Sequence, residues 1–300
     1  MNIQTYLRRI GLTPSDLGLK SGLGNGREVG PENGLRPDGE PPPRSAVRRL
    51  QRAHLTSVPF DTLSVAGGPF GRLEPTSDRV LLEPEALYQK IVEEGRGGIC
   101  YELNELFRGL LTALGIEAHR LAARVVAPDG TLGPPGDHMP LLVPLDEGPH
   151  LVDVGFGGDV IWSPLPLDGT PQEGPEGAWR LVERDRPSAD YAAQSRGFGF
   201  RGEGWSDRFL FRAEPRPLSY IEPACEYHRY APDATFTDWP LVVRATERGH
   251  KALSGTTLTT VRAGDGEEPS VTEEEVSEEQ YASVLREEFG IELNAEKTAG

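Results

Sequence analysis

The chain has 300 residues, 37% of them hydrophobic and 26% charged, the make-up of an ordinary globular protein with room for two or three small domains. Its formal net charge of −16 argues against a nucleic-acid partner, which needs clustered Lys and Arg to neutralise phosphates. Residues 1–10 lack the apolar core of a signal peptide, no run approaches the ~18 apolar residues of a membrane span, and two cysteines make no disulfide framework, so a cytoplasmic setting is expected.

Leu7, Ile10 and Leu12 form a short apolar stripe, enough for one or two helical turns. Over residues 22–43 the composition turns to Gly, Pro, Asn and charge, ending in Pro41-Pro42-Pro43. Such a segment buries little and is read as a mobile surface loop. Val47 and Leu50, with His54-Leu55 beyond, predict a helix from Ser45 through about Ala53. Pro59-Phe60 breaks it, and a loop runs to about Glu83. Pro84 suits the first position of the next helix, which continues through 86–92.

The clearest pattern follows. Leu103, Leu106, Phe107, Leu110, Leu111 and Leu114 line one face of a helix that Gly115 closes. Three positions before Leu103 stands Cys100, on the inward stripe and at the end where amide N–H groups point, a setting that lowers a thiol pKa. Beyond Gly115 the period changes to two. Strand-like runs at 118–126, 139–143, 151–154 and 179–182, with turns at Pro128-Asp129-Gly130 and Asp146-Glu147-Gly148-Pro149, predict an antiparallel sheet or small barrel. Residues 241–243 and 257–261 read as two more strands, and 278–289 as an acidic amphipathic helix.

A hairpin turning near Asp146-Glu147 places His138 and Asp153 beside each other, adjacent or diagonal on one sheet face. That is the arrangement of a base and its orienting acid: the carboxylate fixes the tautomer and steadies the imidazolium while the other ring nitrogen faces a nucleophile. An aspartate inside Leu-Val-Asp-Val also demands a polar partner if its neighbours are buried. Singly, each residue has a plainer reading: Cys100 as a small buried hydrophobe, His138 as the start of a strand, Asp153 as a turn cap. Together they favour a thiol nucleophile with His138 as base and Asp153 as orienter. His54, His119, His150, His228 and His250 lack a carboxylate in comparable register and are read as structural or surface. Cys225 with His228 is too small a set for zinc, so no metal is expected. The glycine-rich 196–202 segment lacks the Lys-Ser/Thr of a phosphate cradle and is read as a loop.

Arg96-Gly97-Gly98-Ile99-Cys100-Tyr101-Glu102-Leu103-Asn104 resembles the R-G-G-x-C-x-E-x-N motif of the arylamine N-acetyltransferases. The likeness extends to His138-Met139-Pro140-Leu141-Leu142-Val143, to Val152-Asp153-Val154-Gly155-Phe156-Gly157, to residues 6–12, 50–55 and 58–60, and near the end to residues 285–291. It implies an α+β fold: a helical N-terminal domain over 1–115 carrying the nucleophile, an antiparallel β-barrel over 116–210 carrying His138 and Asp153, and an α/β lid over 211–300. The core would be a papain- or transglutaminase-like Cys-His-Asp arrangement. The resemblance also implies acetyl-CoA as donor, an arylamine, hydrazine or arylhydroxylamine as acceptor, and Phe60, Val125 and Phe236 as the acceptor pocket. Arg96, Glu102 and Asn104 are read as braces of the turn.

Four features depart from the family pattern: the 22–43 segment, Asp61-Thr62 after Pro59-Phe60, Asp137 where Thr or Ser is usual, and Ala234 where Ser is usual. They bear on acceptor choice and CoA affinity. The same core is also compatible with a macrolactam-forming amide synthase, a Cys hydrolase or transglutaminase-like enzyme, or a binding protein with an inert thiol.

Overall fold

The computed structural model describes residues 1–18, 42–70, 80–186, 189–197, 204–231, 234–263 and 270–293. The loop expected at 22–43 lies outside them except for its last two residues, as does the larger part of the glycine-rich 196–202 segment.

Helix α1 (Ile3–Arg9) is capped by Asn2, whose side chain accepts the Thr5 N–H at 3.1 Å. Helix α2 (Arg44–Ser57) runs a turn beyond its predicted end and buries Val47, Leu50, Gln51 and His54. His54 is wholly buried and takes the Tyr6 hydroxyl on Nδ1 at 3.0 Å, and burial holds its pKa down at about 3. The expected loop after Phe60 instead opens with a short strand, β1 (Phe60–Asp61), and a helical turn, α3 (Leu63–Ala66). Helix α4 (Pro84–Leu87) begins at Pro84 as read, but gives way to a π-helical turn over Tyr88–Glu93. Helix α5 (Cys100–Ala113) buries the predicted stripe, and Gly115 leaves it with φ 78°, a left-handed conformation that a side chain would strain.

The single strand expected over 118–126 is two: β2 (His119–Arg120) and β3 (Ala123–Val125). Then come β4 (Leu141–Leu145) and β5 (Gly148–Val152), a hairpin in which Leu141 faces Val152 and Leu145 faces Gly148. β6 (Leu165–Pro166), β7 (Gln172–Gly174), β8 (Gly177–Arg186), β9 (Ala189–Gly197) and β10 (Ser206–Phe211) complete this part. They form two antiparallel sheets, β2-β4-β5-β6 and β3-β10-β9-β8-β7. The expected closed barrel is therefore not formed among the described residues. The chain changes sheets between Arg120 and Ala123, and an isolated bridge from Ala123 to His138, not a continuous ladder, joins the two.

Helix α6 (Leu218–Tyr230) was not legible, because Pro223 interrupts its middle and its buried face is the unpromising set Ile221, Ala224, Cys225 and His228. After α7 (Thr235–Asp238), strands β11 (Leu241–Thr246), β12 (Gly249–Ser254), β13 (Thr257–Arg262) and β14 (Ser270–Glu275) make a meander that β1 extends, Phe60 facing Val243. Helix α8 (Glu278–Phe289), with the predicted bounds, packs Tyr281, Leu285 and Phe289 on Val242, Leu253 and Leu258 of that sheet. The fold is α+β, and its largest core gathers α1, α2, α5, α6 and the β4–β5 hairpin around the start of α5.

Candidate active site

Cys100 begins α5, and the turn before it is held from several sides. Glu102 Oε2 accepts the Ile99 N–H at 3.1 Å, while its Oε1 takes Lys90 Nζ at 2.7 Å and the Leu81 N–H at 3.0 Å. Arg96 Nη2 lies 3.0 Å from Asp61 Oδ2. Space dictates glycine at position 97, where a Cβ would stand 2.3 Å from the Pro59 carbonyl oxygen. The nucleophile candidate thus sits on a rigid mount rather than a free loop.

His138 and Asp153 lie just outside the β4–β5 ladder, His138 before β4 and Asp153 directly after β5, so both emerge at the same end of the hairpin. Their side chains meet: His138 Nε2 is 2.5 Å from Asp153 Oδ2, and both residues are buried. That contact commits Nε2 to the acid and makes Nδ1 the nitrogen that can accept another proton. The ring packs against Phe156 and Phe209 in a three-ring cluster, each phenyl centroid 5.1 Å from it and the two phenyls 5.2 Å apart, and it is almost wholly buried.

The other carboxylate oxygen has a separate task. Asp153 Oδ1 accepts Asn104 Nδ2 at 2.9 Å and the Gly155 N–H at 2.8 Å. Asn104 Oδ1 in turn accepts the Val154 N–H at 3.0 Å, and Gln51 Nε2 donates to the Asp153 carbonyl at 3.2 Å. Asn104, one turn beyond Cys100, therefore ties the nucleophile's helix to the acid's loop. Read from sequence it braces its own turn; the signal for its larger role was its fixed place four residues after the cysteine. The approach is close, since a Cβ on Gly155 would stand 2.8 Å from Cys100 Cα and 2.9 Å from its carbonyl oxygen.

Electrostatics correct one expectation. A helix start was expected to lower the Cys100 pKa, and a hydrogen bond from the Tyr101 backbone does act that way. Burial dominates, however, and with the charges of Cys225, Asp153 and Asp137 it pushes the thiol well up. A lone thiolate is therefore disfavoured at this position. Asp137, next to His138 in sequence, is raised to about 6, chiefly by burial, although the Val125 N–H donates to its Oδ1 at 2.9 Å.

Of the three residues expected to line an acceptor pocket, Phe60 and Phe236 meet edge to face at 5.7 Å. Val125 lies on β3, paired with Phe209 on the adjacent strand β10, and its backbone N–H donates to Asp137. Cys225 and His228 lie on the buried face of α6, where the His228 ring meets Tyr101 and Phe236 at tilted angles, centroids 6.2 and 5.0 Å away. Among the described residues no group of three or more His, Cys, Asp or Glu is placed to hold a metal ion. His250, read as having no carboxylate in comparable register, meets one from elsewhere in the chain: Glu176 Oε1 lies 2.5 Å from its Nδ1. That pair joins elements far apart in sequence, so register could not reveal it.

The profile of a family described as N-acetyltransferase matches residues 45–298. The arylamine N-acetyltransferase of Mycolicibacterium smegmatis is 34% identical over 263 residues, 85% of this chain and 88% of that one. The proansamycin X synthase of Amycolatopsis mediterranei (strain S699) is 29% identical over 292 residues, 96% of this chain and 98% of its own. A solved structure of the M. smegmatis arylamine N-acetyl transferase superposes with a TM-score of 0.75 at 30% identity, covering 100% of this chain and 95% of that one.

Proposed function

The chain belongs to the arylamine N-acetyltransferase family, and from that premise we propose that Cys100, His138 and Asp153 carry an acetyl group from acetyl-CoA to an arylamine, hydrazine or arylhydroxylamine in two half-reactions. The observation that carries this reading is the His138–Asp153 contact at 2.5 Å, tied through Asn104 to the helix that Cys100 begins.

In the first half-reaction the Cys100 proton passes to His138 Nδ1 as sulfur attacks the thioester carbonyl. The C–S bond to CoA then breaks, the leaving thiolate takes the proton from the imidazolium, and the acetyl group remains on Cys100. In the second, the acceptor's nitrogen or oxygen attacks the acetyl-cysteine carbonyl. His138 takes the acceptor's proton and returns it to sulfur as the thioester breaks. Burial raises the free thiol's pKa, so the proton leaves sulfur only as His138 takes it, and Asp153 steadies the imidazolium that forms. The N–H groups at the start of α5 are suited to the developing oxyanion. The imidazole is almost wholly buried, packed against Phe156 and Phe209, and burial of the base favours the amine over hydrolysis of the intermediate.

Rapid mixing with acetyl-CoA alone tests this. A burst of free CoA and an acetyl mass gain on Cys100 are expected, both absent in Cys100→Ala. No burst and no mass gain in the unaltered protein would overturn the reading.

A further inference from the structure

A cavity of about 650 Å³ opens between the sheet containing β11–β14 and the β8–β9 hairpin. Trp162, Trp179, Val243, Ala252 and Val261 are on its walls, whereas Cys100, His138, Phe60, Val125 and Phe236 are not. The volume lies in the middle of the ~300–1,000 Å³ typical of sites for drug-sized molecules, and a single aromatic ring would leave most of it empty. Asp159, Val160 and Val243 also line a small crevice of about 20 Å³ on the side of the proposed active site, whose other walls include Phe60 and Asp153.

The charges on the walls narrow the choice of ligand. Both arginines among the described wall residues already face a carboxylate, Arg208 with Asp159 and Arg196 with Glu173 at 3.2 Å, and the His250 ring meets Glu176 at 2.5 Å. Glu273 adds a negative charge at the exposed β14 side. In a chain of net charge −16, a phosphate-bearing group would find no uncommitted cation there. The buried Trp162 indole N–H has no acceptor among the described residues, an unmet donor on walls whose charged groups are paired as above or lie at the exposed β14 side.

We propose that this cavity binds the uncharged, extended apolar body of an acceptor much larger than one ring, with its amine directed toward the crevice beside Phe60. The acceptor role rests on the acyl-transfer reading above; the binding does not. The cavity thereby makes acceptor preference depend on residues of β12 and β13 that are remote from the cysteine motif.

Equilibrium dialysis of fluorene, a neutral three-ring hydrocarbon without an amine, against the whole protein reads binding without turnover. One saturable equivalent is expected, weakened at least tenfold in both Ala252→Phe and Thr259→Phe, which fill the cavity from two strands, with thermal unfolding establishing that each variant is folded. With acetyl-CoA as donor, the ratio of kcat/KM for 2-aminofluorene to that for aniline is expected to fall at least tenfold in the same variants. Absence of saturable binding, or a change below twofold in affinity and in that ratio in both folded variants, would overturn the proposal. If Cys100 is never acetylated the acyl-transfer reading fails, while fluorene binding still decides the cavity. If acetylation proceeds and fluorene does not bind, the cavity assignment alone fails.

Discussion

Asp153 divides its two oxygens between chemistry and architecture: Oδ2 meets His138, and Oδ1 holds Asn104 and the Gly155 N–H. An amide at this position could keep the architecture but would present an N–H to His138 Nε2. The ring would then carry its proton on Nδ1, where the thiol proton must go. Asp153→Asn is expected to lower kcat/KM by about 10⁴, as wrong-tautomer substitutions do in other triads, with the melting temperature little changed. Steady-state kinetics with acetyl-CoA and aniline, set beside thermal unfolding, check both halves. Asp137 offers a pH test. Its native pKa of about 6 lies above the ordinary 3.8, so the folded protein holds this proton more tightly than the unfolded chain. Its contribution to stability is full below the ordinary value and is lost as pH rises through about 6. Asp137→Asn keeps an acceptor for the Val125 N–H and removes the titration. The variant's stability relative to the parent is therefore expected to rise between pH 4 and pH 6, read from melting temperatures across that range.

At the scale of elements, the site depends on how closely the loop after β5 lies on the start of α5. Gly155 sets that spacing, because a Cβ there would meet backbone atoms of Cys100 first and Asn104 Nδ2 at 3.0 Å. Gly155→Ala is expected to move sulfur out of reach of His138 and slow Cys100 acetylation about 10²-fold, the effect of roughly 1 Å of misplacement. Stopped-flow release of CoA measures it, and far-UV circular dichroism confirms the fold. The α5 stripe and the β4–β5 hairpin were legible because a helix face and a tight turn are written in nearby residues: Leu103 to Leu114 in one case, Asp146-Glu147 in the other. The strand over 118–126 was misjudged for the opposite reason. Its alternation is continuous, but its halves pair with partners from different sheets, Leu142 with His119 and Phe211 with Ala123. Helix α6 failed differently, since Pro223 hid a buried face that only the neighbouring Tyr101 and Phe236 explain.

For the whole molecule, charge governs encounter with the donor. The chain's net charge of −16 opposes the approach of anionic acetyl-CoA, whereas aniline is neutral. The Debye length shortens from ~30 Å at 0.01 M to ~10 Å at 0.1 M salt. Over that interval kcat/KM for acetyl-CoA is expected to rise severalfold while kcat/KM for aniline changes little, as initial rates at subsaturating concentrations of each would read. A fall for acetyl-CoA would mean that a local cationic patch outweighs the global field. The described sheets and helices also give the molecule its cavity between β8–β9 and β11–β13, a feature that no single segment contains.

By itself the sequence determined what depends on neighbours along the chain: a cysteine at a helix start, glycines before it, and a hairpin register that sends His138 and Asp153 to one end. Such features are set by backbone periodicity and turn chemistry acting over a few residues. The tertiary structure alone decided the bond from Asn104 to Asp153, the burial that raises Cys100 and Asp137, the open sheets and the Glu176–His250 pair. Each of these arises where distant segments pack, and there desolvation and close contact, not local propensity, fix which groups meet and what charge they can bear.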